Sequence, residues 1–569
     1  MASLQKVRVR GRTYWRIVES RRVRGKPRPV PLLHLGTANA LLDRLLRADA
    51  GRLRLRSFQH GDVAALKAAA DRLDVAALID RHVGRKRRAA SIGTTLLLAA
   101  LNRALAPRSK RAWAAWAEGT SLAQLFPGVP IANLTSQFFW DQMDAVSLEA
   151  LEAIEAELTQ RVVSALGIKL DTLFYDTTNF FTYIASTNAR PKLAKRGRSK
   201  QRRSDLRLFS LSLLVSRDGH IPLCSRLYEG NTVDVRSFPD SLTHIRERLE
   251  ALSLSLKDLT LVYDRGNLSR DNQRRIDRSP FGYVAAMTPS HHADLLAIPA
   301  ANYVPLPKTS RLAGLPVLRL RREIWGAERS VVLFISERLR AGQIRGLEQH
   351  LRKRLTELAE WKETLRKPRS GPRSPEAAKR RIEGLLSGQH LKKVLRVAYH
   401  PKRKGSDRLE YEIDEDARNH LIQEVFGKRF LVSDRHDWSD EEIVLAYRGQ
   451  SRVEEAFRQL KDEHHLAVRP QYHWTDQKIH VHTFMCLLAF LLARMVEHQA
   501  RTLGCRESLS GLLDRLGRVR LAMVLRASGP KGGRPRCQWQ LEQGDPETLS
   551  LFRQLVPDQT PFVYTADRV

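Results

Sequence analysis

Cysteine is scarce in this chain: four residues, Cys224, Cys486, Cys505 and Cys537, lie far apart among 569 positions with no CxxC spacing. That excludes a disulfide framework and a cysteine-ligated zinc knuckle as the basis of the fold. Long apolar runs are lacking too. The opening MASLQKVRVRGRTYW has no apolar core of the kind a secretory signal needs, and the longest apolar run, Phe484 to Ala493, falls short of a bilayer span. A cytoplasmic protein without membrane attachment is expected. Acidic residues are the third deficit, with 62 Asp and Glu against 97 Lys and Arg, a formal net charge of +35. A field of that sign suits a polyanionic partner. A membrane surface would also attract it, but the basic residues are spread through the chain and not gathered on one amphipathic helix, which favours nucleic acid.

What is present is a globular composition, 42% hydrophobic and 28% charged. At this length several structural units are expected. Residues 1–30 carry ten Lys or Arg against one Glu, and TYWRIVES with VRGKPRPVPLLHLG reads as two extended runs around a turn, a basic hairpin over 1–40. From 41 to 166, Ala and Leu recur at helical spacing, as in IGTTLLLAALNRAL, giving a helical module suited to DNA contacts of its own.

The period changes after Leu166. LDTLFYDTTNFF, LRLFSLSLLVS and HIPLCSRLYEGN are strand-like, with Arg217-Asp218-Gly219 as a hairpin turn. A helix through 235–252 then leads to the short strand LTLVYD, a second helix and the strand FGYVAAM, so 167–287 alternates as an α/β unit. The pattern loosens over 288–427, which reads as an inserted subdomain. KRFLVSD resumes the strand pattern, and Ser439 with Glu442 makes a capping-box signature for one helix from about 440 to 462, within a segment 428–500. The last segment, 501–569, reads as helical stretches around the basic turn SGPKGGRPR.

Two acids stand in matching places. Asp176 follows Leu173-Phe174-Tyr175 and Asp264 follows Leu261-Val262-Tyr263, each at the carboxyl end of a buried-looking strand. If those strands are parallel neighbours, the carboxylates meet at one sheet edge. A single Asp after a strand more often just opens a turn; the pair is what carries information. A third acid lies in YRGQSRVEEAFRQLK, where Tyr447, Glu454 and Lys461 are seven residues apart. Seven helical residues turn about 700°, leaving about 20° of drift, so on one helix the three share a face. Glu455 satisfies the local argument as well, and polar heptad spacing also occurs on plain solvated faces. Phosphodiester cleavage by metal ions needs such acids brought from distant positions onto rigid elements.

Taken together, YDTTNFF, LVYDRGNLS and YRGQSRVEEAFRQLKD resemble the three motifs of the DDE transposases of bacterial insertion sequences, in the branch marked by tyrosine, arginine, glutamate and lysine around the catalytic glutamate. The resemblance covers roughly residues 170–472. It implies a ribonuclease-H-like α/β core interrupted by an insertion before the glutamate helix, and cleavage at transposon terminal inverted repeats with strand transfer into target DNA. It also implies two divalent cations, Mg2+ or Mn2+, held by Asp176, Asp264 and Glu454, with Tyr447 and Lys461 contacting the DNA backbone. Double-stranded DNA would be the partner, bound by a homodimer paired through the C-terminal region. The family's arginine falls where this chain has Gln450, which leaves Arg448, Arg452 and Arg458 to replace it; Arg458, one turn from Glu454, is preferred. The same residues also admit a ribonuclease-H-like nuclease without strand joining, or a basic DNA-binding protein without catalysis.

Other features divide the same way. The basic stretches 190–207 and 366–381 suit DNA backbone or plain solvent. His464-His465 and His480-Val481-His482 lack matching partners for a metal site. Trp325 and Trp361 could stack an unpaired base, although buried packing is the commoner use of tryptophan.

Overall fold

The computed structural model describes residues 2–23, 26–49, 54–84, 89–185, 187–197, 203–252, 255–367, 374–401, 407–526, 536–557 and 564–566. Parts of both basic stretches (198–202 and 368–373) and most of the SGPKGGRPR turn (528–535) lie outside them. The chain divides into two compact units, one made of 1–150, 463–470 and 483–569, the other of 151–462 and 471–482.

The first unit begins with a three-stranded antiparallel sheet, β1 (Ala2–Val9), β2 (Arg12–Val23) and β3 (Lys26–Gly36), in that order. The expected hairpin is therefore β2 and β3, and a further strand precedes it through the Arg10-Gly11 turn, both residues at positive φ. β3 is an edge strand, the place where Pro27, Pro29 and Pro31 cost no sheet hydrogen bond. β4 (Arg54–Gln59) precedes helices Gly61–Arg72, Val75–Val83 and Ile92–Leu105, the last buried all round because its sequence is apolar all round. Gly93 permits their contact: a Cβ there would lie 2.0 Å from the Ala76 carbonyl oxygen.

The second unit is α/β, built on a large mixed sheet. In chain order its strands are β5 (Thr172–Thr182), β6 (Arg207–Ser216), β7 (Pro222–Glu229), β8 (Thr260–Tyr263), β9 (Gly282–Met287), β10 (Val304–Pro305), β11 (Pro316–Ile324) and β12 (Ala327–Ile335). β13 (Leu395–His400) and β14 (Arg408–Ile413) form a separate pair, and β15 (Lys428–Ser433) returns to the sheet, whose order is β10-β11-β12-β15-β9-β8-β5-β6-β7. β5 and β6, and β6 and β7, are antiparallel, whereas β5, β8 and β9 run parallel through the crossover helices Asp234–Glu250 and Arg270–Asp277. The order strand, strand, strand, helix, strand, helix, strand is that expected from the periodicity.

Part of 288–427, expected to be an inserted subdomain, belongs to the main sheet. β12 is almost wholly buried and pairs with β15, so β10 to β12 extend the main sheet. What stands apart is the long helix Glu337–Leu365 with β13 and β14, around a core of Leu347, Leu351, Leu358, Trp361, Leu391 and Phe426. Trp361 belongs to that core, 1% exposed and stacked on Tyr399 at 5.9 Å, while Trp325 takes a positive φ at the β11–β12 turn.

Back in the first unit, β16 (Arg520–Arg526), β17 (Arg536–Leu541) and β18 (Tyr564–Ala566) make a four-stranded antiparallel sheet in the order β18-β17-β16-β4. The C-terminal segment thus combines helices Leu509–Leu516 and Pro546–Leu555 with strands that the expected helical reading lacks, LAMVLR being a short apolar run and CQWQL an apolar–polar alternation. The helix Asp476–Thr502 is long and apolar enough to cross a membrane by length and composition, but 94% of its most apolar window is buried within the protein.

Candidate active site

The β5–β8 pairing ends with Tyr175 opposite Tyr263 in parallel register. Asp176 and Asp264 come next, Asp264 just past the end of β8 but Asp176 inside β5, which runs on beside β6 to Thr182, so the strand end expected after Tyr175 is an interior position whose carboxylate is level with the end of its parallel neighbour. Strand alternation then sorts the side chains. Tyr175 faces the crossover helix, where its hydroxyl donates to Ser241 Oγ at 2.7 Å and its ring meets Phe238 edge-on at 5.3 Å. Phe174 and Asp176 face the other way, toward the segment that carries the third acid.

That segment is two helices, not one. Asp440–Arg448 begins with the expected capping box, Ser439 and Glu442 each bonding the other's backbone, and Ser451–Gln459 follows after Gly449 and Gln450. The break has a packing cause. A Cβ at Gly449 would lie 2.2 Å from Phe174 Cζ, so only glycine brings the backbone this close to β5. Gln450 is 5% exposed and its Nε2 donates to the Tyr175 carbonyl at 2.8 Å, at the point where β5 loses β8 as partner. Both residues keep right-handed helical dihedrals, Gly449 at φ −61° and ψ −17° and Gln450 at φ −55° and ψ −28°. The rotation per residue is therefore nearly that of a continuous helix, and the seven-residue spacing still returns to one side.

The contacts follow from that. Tyr447 Oη donates to Asp264 Oδ1 at 3.3 Å and accepts from Arg429 Nη1 at 3.1 Å. Lys461 Nζ donates to Thr178 Oγ1 at 2.5 Å, Thr178 sharing the face of Asp176. Glu454 is exposed, and its charge is felt at both Asp176 and Tyr447. On the opposite face Thr177 Oγ1 donates to Asp234 Oδ1 at 2.6 Å.

The electrostatics are those of crowded anions. Burial raises the Asp176 carboxyl to about 7; the Thr177 N–H at 2.8 Å opposes the rise, and the charges of Asp264, Asp234 and Glu454 add to it. Burial, and after it the charge of Asp264, pushes Tyr447 up to about 12. Arg429 and Lys461 are the cations nearest these contacts, so the cluster carries more negative than positive charge.

The arginine that the structure bonds to Tyr447 is not one of the three that helix spacing marks. Arg458 is 76% exposed and its polar partner is Glu455, at 3.3 Å. Arg448 is exposed, and Arg452 lies over the Phe174 ring at 5.7 Å. Gln450 is used up in bonding β5. The arginine brought to Tyr447 is Arg429, from β15, which no local spacing marks because it reaches the site through sheet pairing. Asp234 was equally silent in the sequence, where an acid opening a helix has an ordinary explanation.

As donors for a metal the residues are hard carboxylate oxygens, which fits Mg2+ or Mn2+. Among the described residues no group of three His, Cys, Asp or Glu side chains stands ready to hold an ion. Magnesium asks less than that, since it takes one or two carboxylates and keeps waters or substrate oxygens for the rest. The register-matched Asp176 and Asp264 fit that demand. The histidine pairs do not form such groups either; His465 Nε2 lies 3.0 Å from Asp514 Oδ1.

No family model and no curated protein matches this chain. Among solved structures it is similar to the piggyBac transposase synaptic complex with hairpin DNA, with a TM-score of 0.37 and 8% identity over 80% of this chain and 79% of that one. A likeness of that size fixes neither fold nor activity, and the functional reading rests on the residues themselves.

Proposed function

We propose that this chain is a DDE-type DNA transposase, cleaving DNA at the terminal inverted repeats of its element and joining the freed ends to target DNA. The observation that supports this most is the pairing of Asp176 and Asp264 one step beyond matched residues of parallel strands, with Tyr447 bonded to Asp264 and Lys461 to Thr178 on the face of Asp176. In this reading the second unit is a ribonuclease-H-like core, and the segment from Glu337 to Phe426 is the insertion that precedes the glutamate helix.

Asp176, Asp264 and Glu454 would hold two divalent cations. The chemistry such ions supply when bound is stabilisation of charge on the attacking and leaving oxygens of a phosphodiester. Lys461 and Arg429 would hold the DNA backbone beside the acids, and Tyr447 would fix the orientation of Asp264. The net charge of +35 adds the sequence-independent attraction to duplex DNA. A homodimer on DNA is part of the proposal.

The test is incubation of the purified chain with Mg2+ and a plasmid carrying the DNA that flanks its own coding region. Nicking at short inverted repeats and covalent transfer of the 3′ ends to a second duplex are expected, both abolished by Asp176→Asn. Nicking by Asp176→Asn at the wild-type rate would overturn the site; cleavage without transfer would make the chain a nuclease.

A further inference from the structure

Beside the acids, within the same unit, a cleft of about 590 Å³ opens between the first turns of the helix Glu337–Leu365, the turn at Gln389-His390 and the strand residue Arg429. Glu454 forms part of its wall. Away from Glu454 the polar part of the lining is cationic or donor-bearing, with Arg338, Arg429, His350, His390 and Gln389, and Leu339 and Leu347 add apolar wall. Glu454 is the one carboxylate among the described lining residues, so a negatively charged ligand is favoured along the cleft and meets an acid at one end only.

Two glycines of the helix also face this space. Gly342 and Gly346 are each unfavourable relative to alanine in a helix interior. No packing among the described residues calls for them: a Cβ at Gly346 would meet nothing within 4 Å, and one at Gly342 would meet only the Arg345 guanidinium at 4.0 Å. A ligand lying close against the helix backbone accounts for both, and agrees with the charge of the lining. Arg429 links the cleft to the acids through its bond to Tyr447.

We propose that this cleft binds a single DNA strand, its phosphodiester chain running from Glu454 past Arg429 and across Gly342 and Gly346 toward His350 and His390. The proposal rests on the reading of Asp176, Asp264 and Glu454 as a phosphodiester-processing site for where the strand ends. A volume in this range holds one drug-sized molecule, which suits a few nucleotides of one strand better than the full width of a duplex.

The test uses the full chain with Ca2+ in place of Mg2+, and a fluorescein-labelled single-stranded oligonucleotide alongside the same sequence as a duplex and as RNA. Anisotropy titrations compare the wild type, the double variant Gly342→Leu/Gly346→Leu, which fills the cleft with better helix formers, and Arg338→Ala/His350→Ala. Single-strand affinity falls about tenfold or more in both variants, a change of about 1.4 kcal/mol or more, while duplex affinity stays within about threefold. Unchanged single-strand binding in the leucine variant, equal losses for duplex and single strand, or tighter binding of the RNA would each overturn the proposal. Nicking assays with Mg2+ keep the two readings apart. A wild type that never nicks, yet loses single-strand binding on cleft filling, defeats the transposase reading alone. A leucine variant that nicks and binds like the wild type defeats the cleft alone.

Discussion

Tyr447 and Asp264, 183 residues apart in the chain, are joined by a hydrogen bond of 3.3 Å, and the same phenol accepts from Arg429 at 3.1 Å. The phenol holds one acid of the site and is held by a strand on its other side. Tyr447→Phe keeps the ring and removes both bonds. A hydrogen bond to a charged group is worth about 1.5–3 kcal/mol. If Tyr447 orients Asp264, metal-dependent nicking slows about tenfold or more, while the melting temperature changes little. A wild-type rate for Tyr447→Phe would show that the phenol positions nothing.

Gly449 sets how closely the third acid approaches β5. Gly449→Ala places a methyl 2.2 Å from Phe174 Cζ, and overpacking of this kind costs about 1–3 kcal/mol. The urea midpoint falls, and Phe174→Leu in the same chain restores part of the loss by vacating the ring. Additive losses in the double variant would refute the contact as the cause.

The cations near the acids divide into one that touches the site and one that does not. Lys461→Met removes the partner of Thr178 and lowers the slope of log affinity against log salt for DNA by about 1. Arg458→Met, whose side chain is 76% exposed, leaves nicking unchanged. A loss of nicking in Arg458→Met equal to that in Arg429→Met would return Arg458 to the role expected from spacing alone.

Two buried groups of the first unit oppose each other in their pH dependence. His60 is fully buried with Nδ1 2.7 Å from Ser121 Oγ, and burial pushes its imidazole down from 6.5 to about 4. Its contribution to stability is whole above 6.5 and lost as pH falls through 4, because the unfolded chain takes up the proton first. Burial raises the Asp62 carboxyl from 3.8 to about 6, against hydrogen bonds from Gln59 and the Val63 N–H. Its contribution is whole below 3.8 and lost as pH rises through 6, because the unfolded chain releases the proton first. At about 1.4 kcal/mol per pH unit each amounts to about 3 kcal/mol, so between pH 4 and 6 they nearly cancel. Hydrogen exchange in the helix Gly61–Arg72 should show little pH dependence of opening there. His60→Gln makes stability fall with rising pH across this window, and Asp62→Asn makes it rise. Parallel profiles for the two variants would contradict both shifts.

Much of the candidate site was legible because its signals are local. An apolar run followed by an acid marks the end of β8 at Asp264, although the same signal at Asp176 falls inside β5; Ser439 and Glu442 mark a helix start; three polar residues seven apart mark a face. The hydrophobic period also gave the order of the elements from β5 to β9, since burial on one or both faces leaves that pattern in the sequence. Even the break at Gly449-Gln450 left the face argument usable, because both residues keep helical dihedrals.

By itself, then, the sequence determined which residue types are available, which apolar runs become strands carrying an acid, and that the chain as a whole attracts anions. Tertiary structure alone decided that β5 and β8 are parallel neighbours in register, that Arg429 and not Arg458 reaches Tyr447, and that Gln450 bonds a strand instead of facing the cleft. Propensity and period act over a few residues, whereas register and helix-to-strand contact are settled by which buried surfaces fit together across hundreds. The same reason explains why β11 and β12, read as insertion, extend the main sheet: a strand's partner is chosen by packing, and its own sequence does not name it.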